Sequence, residues 1–490
     1  MKKLIVVTAI LFLSLSLHSL FADDLGELEE LSDSSSGELS ELGTEYVDER
    51  EKPVAEESKL SISFGGYLKA LAYWNEERYS DSLWNDYYAN YAAQGKEIPS
   101  DQQISGFNNI GTRMQFKVEA FLEDKARLFT AMNINYNAAG SLHDSTSDNN
   151  RTTSQVGDLR LIESFIEIYQ DSRTWKVGSQ IVTWGYLEGI EVPTDRVNAR
   201  DHSYKSTEYE DSKLASTGIL LTQRIFESTS LDILYIPIAR TNIDMEFRDY
   251  FYPEEEEAVE KKPYNSKLAT RFASSIGNLD YAISYVEGLD PEADLIPTNL
   301  ILTGIDPITM ELQYTVNFTG RKYNRIRSPG LDLQYNFGSL LAKTSYVQYL
   351  TEDEDGTDYF IKNNWSKYVI GAEFTMFGNT VNLYAGQHLI ENFQEDYISN
   401  QTNFLMGQMR ERTDFISGHI NANFLTGDAL NVVLLAAGYW DEEGEAVQTN
   451  FKATFKYKLA NGLDLIYSPS YMELLKNVFV DHQLEVKYSF

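Results

Sequence analysis

Strict alternation of apolar and polar residues is the dominant pattern of the chain. Ile110, Thr112, Met114, Phe116, Val118, Ala120 and Leu122 fall on one face and Gly111, Arg113, Gln115, Lys117 and Glu119 on the other, which is the two-residue period of a pleated strand. A short polar turn, Glu123 to Ala126, leads to a second run in which Leu128, Met132, Ile134 and Tyr136 oppose Asn133 and Asn135. The two runs predict an antiparallel hairpin. The unit recurs to Phe490. A first strand begins at Leu60, with Ile62, Phe64, Leu68, Ala70, Ala72 and Trp74 against Ser61, Ser63, Tyr67, Lys69 and Tyr73. Others are expected near 108–122, 127–137, 158–170, 174–183, 213–226, 230–240, 266–276, 279–288, 322–336, 339–350, 364–376, 380–390, 411–424, 429–440, 448–459, 463–473 and 480–490.

The connections test that count. Glu123 to Ala126, Asp171 to Arg173, Glu227 to Thr229, Gly277 with Asn278, Phe337 to Ser339, Phe377 to Asn379, Leu425 to Asp428 and Ala460 to Gly462 are short and mostly carry Gly, Asn or Asp. Mostly longer polar stretches lie between them. The expected fold is all-β: a transmembrane antiparallel β-barrel of about 18 strands (roughly 16 to 20), with short periplasmic turns, long extracellular loops and both termini periplasmic. Ile308 to Phe318 also alternates, but counting it would break the alternation of connections. It is assigned to an extended extracellular loop or to the protruding end of the next strand.

Composition fits this fold. Mean hydropathy is −0.36, yet only alternate residues of a barrel strand meet lipid. The 32 Tyr and 25 Phe often close the apolar face, as aromatic girdles do. Residues 1–22 read as a signal peptide: Lys2 and Lys3, an apolar run from Leu4 to Leu17, then Leu20-Phe21-Ala22. That run is shorter than the roughly 20 residues of a spanning helix. Residues 23–58 form an acidic periplasmic tail, with fourteen Asp and Glu against Arg50 and Lys52 (2 − 14 = −12), expected to be disordered; a short oligomerising helix is the alternative. Residues 59–490 form the outer-membrane barrel. The absence of Cys excludes disulfides, thiolate chemistry and an N-terminal lipid anchor, and a net charge of −33 excludes nucleic acid as a partner.

In the last strand Leu484, Val486, Tyr488 and Phe490 oppose Gln483, Glu485, Lys487 and Ser489. A terminal Phe on such a strand resembles the C-terminal signal of bacterial outer-membrane barrels, and that resemblance implies recognition of Phe490 by the barrel-assembly machinery. Lys176-Val177-Gly178-Ser179-Gln180-Ile181-Val182-Thr183-Trp184-Gly185, followed by Pro193-Thr194-Asp195-Arg196-Val197-Asn198-Ala199-Arg200-Asp201, resembles bacterial porin-like outer-membrane proteins, including relatives of alginate-export barrels. Ser179 departs from the basic residue of that pattern, and Ala199 stands where Pro is frequent. Weaker echoes are Ile233-Leu234-Tyr235-Ile236-Pro237 and Pro329-Gly330-Leu331-Asp332-Leu333. The resemblance implies the barrel architecture and a transport role in the outer membrane.

Two sets of candidate residues follow. Lys69, Arg113, Lys117, Arg160, Lys176, Arg224, Arg271, Lys343, Lys452 and Lys456 oppose apolar faces and are expected to point into the barrel, with Glu119, Glu373 and Glu485 fewer on that side. A basic lumen favours anions; charges paired across strands are the equal alternative. The loop from Tyr186 to Glu210 carries Glu188, Asp195, Arg196, Arg200 and Asp201, which form either a constriction or ion pairs that pin a loop to the rim. Acidic runs Glu254 to Glu257, Glu352 to Asp355 and Asp441 to Glu445 fall on expected external connections, and Asp353-Glu354-Asp355-Gly356 echoes half a calcium loop, with Lys362 in place of its bidentate Glu.

No catalytic site, metal or cofactor is expected. His143-Asp144-Ser145 sits in a polar loop, without a strand to hold base and nucleophile together, and His388 and His419 are on separate strands. The expected function is an outer-membrane porin or channel for diffusion of small hydrophilic, preferentially anionic, solutes, with outer-membrane lipid and the solute as partners. The alternative is a surface-binding adhesin barrel acting through long acidic loops such as Trp84 to Tyr91 and Asp249 to Tyr252.

Overall fold

The computed structural model describes residues 60–78, 103–123, 125–137, 157–188, 192–201, 212–243, 255–256, 262–305, 312–394, 408, 410–425, 427, 429–474 and 476–490. The expected segments 1–22 and 23–58, the stretches Trp84 to Tyr91 and Asp249 to Tyr252, and His143 to Ser145 lie outside these residues. Alternation resolves into strands β1 (Leu60–Arg78), β2 (Gln103–Leu122), β3 (Ala126–Asn137), β4 (Gly157–Gln170), β5 (Arg173–Gln180), β6 (Ser216–Phe226) and β7 (Thr229–Ile236). There follow β8 (Glu255–Glu256), β9 (Lys267–Ile276), β10 (Leu279–Leu289), β11 (Asp294–Ile305), β12 (Leu312–Lys322), β13 (Arg325–Asn336) and β14 (Leu340–Tyr349). The series ends with β15 (Trp365–Met376), β16 (Asn379–Ile390), β17 (Arg412–Phe424), β18 (Leu430–Asp441), β19 (Ala446–Ala460), β20 (Leu463–Leu474) and β21 (Asn477–Ser489).

Eighteen of these strands form one antiparallel sheet, and each expected strand is among them. The sheet closes where β1 pairs with β21, in register from Tyr67↔Ser489 to Arg78↔Val478. Phe490 and Gly66 complete the seam by exchanging backbone hydrogen bonds at 3.1 Å in both directions. The Ile308 to Phe318 stretch lies outside the barrel wall, as expected of a loop, but it is ordered in a way that alternation alone did not reveal. Its described part belongs to β12, which pairs with β11 in a separate three-stranded sheet completed by β8. Because Leu289↔Arg325 ends the β10–β13 pairing and Asp294↔Lys322 begins the next, this hairpin continues the wall beyond the barrel. β5 stops at Gln180 and β7 at Ile236, short of the expected 183 and 240, because the chain leaves the sheet there.

A closed wall gives every strand an inner and an outer face. The outer face is apolar in a continuous belt: Phe64 is 77% exposed and Ile283 55%, with Leu159, Ile370 and Leu484 also exposed. On β16 to β19, Val381, Ile420, Ala422, Val432, Leu434 and Ala453 pack into a cluster alternating with Asn382, His419 and Lys452, so this apolar layer also belongs to the outer wall. Near the short turns Tyr335, Phe337, Phe377, Tyr457, Tyr488 and Phe490 are exposed, forming an aromatic girdle. These are the surfaces a bilayer requires of a spanning barrel. Ile283→Lys on the belt is therefore expected to cost about 2–4 kcal/mol at mid-bilayer depth, read from denaturant unfolding in lipid vesicles. Lys117→Gln, on the inner face, is expected to stay within about 0.5 kcal/mol.

Candidate lumen constriction

The described residues 181–188 and 192–201 lie inside the barrel and reach strands on both of its sides. Val182, Trp184 and Val197 pack on Leu234, Ile236, Ala269 and Val286 of β7, β9 and β10. Leu187 and Val192 pack on Val369, Tyr384 and Phe415 of β15 to β17. One short segment that touches strands on both sides of a closed wall can do so only from within. Its contacts thereby identify the inner face.

Local chemistry explains the path. Gln180, 1% exposed, donates to the Gly218 carbonyl at 3.3 Å and closes β5. Ile181 N–H then turns to Glu163 Oε1 at 2.7 Å, leaving the β-ladder. Asn198 braces the two legs of the loop: its Oδ1 accepts from Val182 N–H at 2.8 Å and its Nδ2 donates to the Leu214 carbonyl at 2.9 Å. Gly185, at φ +102°, makes the bend; a Cβ there would lie 2.2 Å from Val192 Cγ1. Thr194 hydroxyl donates to Asp332 at 2.8 Å, and Ser345 hydroxyl donates to the same carboxylate at 2.7 Å. Asp332 is 0% exposed, so these donors are what permit a carboxylate on the inner wall beneath the loop. The Lys267 ammonium adds a bond to the Val197 carbonyl at 3.2 Å.

Of the five candidate loop residues only Asp195 and Arg200 meet each other, and the five take different roles. Asp195 is buried against Lys213 (2.7 Å) and Arg200 (3.5 Å). Asp201 pairs with Arg160 of β4 at 2.8 Å. These pairs pin the loop. Arg196 and Glu188 differ. The Arg196 guanidinium lies over the rings of Trp365 (4.8 Å) and Tyr349 (5.7 Å). The Glu188 side chain is 66% exposed, 4.0 Å from Lys343, while Glu188 N–H donates to the Tyr384 hydroxyl at 3.1 Å.

The candidate wall residues lie on the inner face, mostly matched by acids or amides. Lys69 pairs with Glu485 (2.9 Å), Arg113 donates to Asn135 (2.8 Å), Lys343 pairs with Glu373 (2.7 Å) and Lys456 with Asp464 (3.2 Å). Lys176 sits 3.8 Å from the Phe165 ring centre and 3.9 Å from Glu163, and Arg271 stacks on Tyr186 at 5.6 Å. Lys117, Arg224 and Lys452 share that face, the first two exposed and the third partly buried. Glu163, Glu167, Asp232, Asp332 and Asp464 are acids of the inner face beyond the three expected, so the wall is mixed rather than uniformly basic. Residues beneath the loop, Leu234, Ile236, Ala269 and Asp332, were not anticipated as part of a site. A signal existed: Ile233-Leu234-Tyr235-Ile236 is apolar on both faces, and an apolar inner face needs a cover.

At the long-loop end, Asp353 carries no calcium-loop geometry: its carboxylate accepts Thr357 and Asp358 N–H groups at 3.1 and 3.0 Å. Lys362 instead lies between Asp290 (3.3 Å) and Asp294 (3.1 Å) at the base of the β11–β12 hairpin. Burial pulls its pKa down, but the two carboxylates outweigh burial and hold it above the ordinary lysine value. A lysine raised on folding contributes fully below its unfolded value of 10.5 and loses that contribution only as pH rises through the folded value. Limited proteolysis of residues 351–364 is thus expected to be equally slow at about pH 7 and about pH 10. For the crossing loop, Gly185→Ala and Thr194→Val are each expected to loosen it by about 1–3 kcal/mol. The measure is faster cleavage between residues 181 and 201, with the circular-dichroism spectrum of the barrel unchanged.

No family model matches the chain, and no curated protein matches it. Solved structures do. OccAB4 of Acinetobacter baumannii aligns over 87% of this chain and 98% of its own, at TM-score 0.51 and 11% identity. The outer membrane protein OpdK of Pseudomonas aeruginosa aligns over 87% and 99%, at TM-score 0.50 and 9% identity. OpdK solved with vanillate aligns over 87% and 98%, at TM-score 0.51 and 8% identity. At these identities the likeness shows the fold, and the chain is a closed eighteen-strand antiparallel β-barrel of the architecture found in these bacterial proteins.

Proposed function

We propose that the protein is an outer-membrane channel through which small hydrophilic solutes diffuse, with preference for anions. What supports this reading is the placement of the described residues 181–188 and 192–201, whose side chains pack from inside the barrel on strands of opposite sides of the wall. A loop that serves surface adhesion gains nothing by turning inward, so its placement favours passage over binding. Arg196, with Glu188 opposite Lys343, supplies the fixed charge that sorts solutes at the narrow point. Asp195, Arg200 and Asp201 hold the loop in place.

Aromatic carboxylates are a reasonable solute class. The vanillate in the OpdK structure is one, and here Arg196 and Arg271 each stand beside aromatic rings that a planar solute could slide along. By the same reading the short turns and both termini face the periplasm, residues 1–22 direct export, residues 23–58 remain in the periplasm, and the assembly machinery reads the strand ending at Phe490.

Purified protein in a planar bilayer under a KCl gradient is expected to give stable openings with a reversal potential on the anion side. Arg196→Gln should move that potential toward cations. A silent bilayer, or openings with cation preference in the unaltered protein, would refute the proposal.

A further inference from the structure

Arg196 is held by more than its own loop. Within the loop its Nε donates to the Pro193 carbonyl at 3.0 Å. Across the lumen it meets Trp365 and Tyr349, whose rings stack on each other with centres 4.6 Å apart and planes 13° apart. His388 stands edge-on to Trp365 at 4.9 Å, completing the platform. The position of a guanidinium over a ring face is set by where that ring is fixed. Tyr349 is fixed at its far end, since its hydroxyl donates to Asp290 Oδ1 at 2.7 Å.

Asp290 belongs to the clamp at the long-loop end. Its other oxygen, with Asp294, encloses the Lys362 ammonium, which also donates to the carbonyls of Glu292 and Ala293 at 2.9 and 3.0 Å. Lys362 N–H donates to Asp294 Oδ1 at 3.0 Å, and Asn324 Nδ2 to Asp294 Oδ2 at 2.8 Å, so the clamp ties together both legs of the β11–β12 hairpin and the β14–β15 loop. Asp290, Asp294, Lys362 and Tyr349 are all buried. In a buried cluster of fixed charges, a shift of one member moves its neighbours rather than being absorbed by solvent.

We propose that Lys362, Asp290 and Tyr349 are positioning residues for the channel. The clamp outside the barrel wall sets the place of the Tyr349–Trp365 platform, and the platform sets how far the Arg196 guanidinium stands into the lumen. The selectivity of the narrow point is thus determined partly by a contact at the base of a loop-end hairpin. This rests on the channel reading and on Arg196 acting in it.

The test compares reversal potentials of the full chain under a KCl gradient for the unaltered protein, Arg196→Gln, Tyr349→Phe, and the double variant. Tyr349→Phe removes only the hydroxyl, without changing charge or ring. The expected result is a shift toward cations in Tyr349→Phe, smaller than that of Arg196→Gln, and no further shift when it is added to Arg196→Gln. Lys362→Met should shift the potential in the same direction and also add nothing in the Arg196→Gln background. If Arg196→Gln shifts the potential while Tyr349→Phe leaves it at the unaltered value, the positioning role is wrong and the channel reading stands. Additive shifts in the double variants overturn it equally, since they would show action independent of Arg196. If Arg196→Gln itself changes nothing, its assigned role fails and the positioning proposal fails with it. Should Lys362→Met not assemble, the charge-neutral Tyr349→Phe pair still decides.

Discussion

Hydrocarbon offers no partner to an amide or a carbonyl, so a chain that spans a bilayer as strands must pair its last strand with its first. Here that requirement is met by the β1–β21 register and by the reciprocal bonds of Gly66 with Phe490. Everything else follows from closure. A closed wall has an inside, and the same alternation that turns Phe64, Ile283 and Leu484 to lipid must turn Lys69, Ser284 and Glu485 inward. The interior charges are then obliged to find one another, which is why Lys69 meets Glu485 and Lys343 meets Glu373 within hydrogen-bonding distance.

The lumen is not lined uniformly. Two apolar patches interrupt it, one around Leu234 and Ile236 and the other around Tyr384 and Phe415, and each is capped by side chains of the crossing loop. Between the patches the loop is tied by polar contacts to buried groups, above all Thr194 to Asp332. Seating the loop therefore removes exposed apolar surface and satisfies a carboxylate at the same time, and both terms favour the inward position over an external one. Asp195 and Asp201 pin the loop through their ion pairs, while Arg196 and Glu188 of the same loop meet the wall at Trp365 and Lys343.

Much of the fold was legible because a two-residue period with polar turns leaves little freedom: a slip of one residue would exchange lipid and water faces along a whole strand. What escaped was set by contacts distant in sequence. β12 carries the same alternation as the wall, and only its partner β11, invisible locally, places it outside the barrel. The acids that balance the inner face, such as Asp232 beside Thr222 and Asp332 beneath Thr194, sit singly in apolar strands and were overshadowed by the more frequent Lys and Arg. The Trp184-Gly185 motif is distinctive in the sequence, whereas the bend its Gly allows against Val192 is set by the packing of the folded loop.

The claim on which the account turns is that residues 181–188 and 192–201 lie within the aqueous path. The chain has no cysteine, so Glu188→Cys supplies a single thiol at an exposed position of the loop. Added to an open channel in a planar bilayer, a small charged thiol reagent is predicted to lower the current in one irreversible step, and a reagent too large to enter the barrel is predicted to leave it unchanged. An undiminished current after complete labelling by the small reagent would contradict the account.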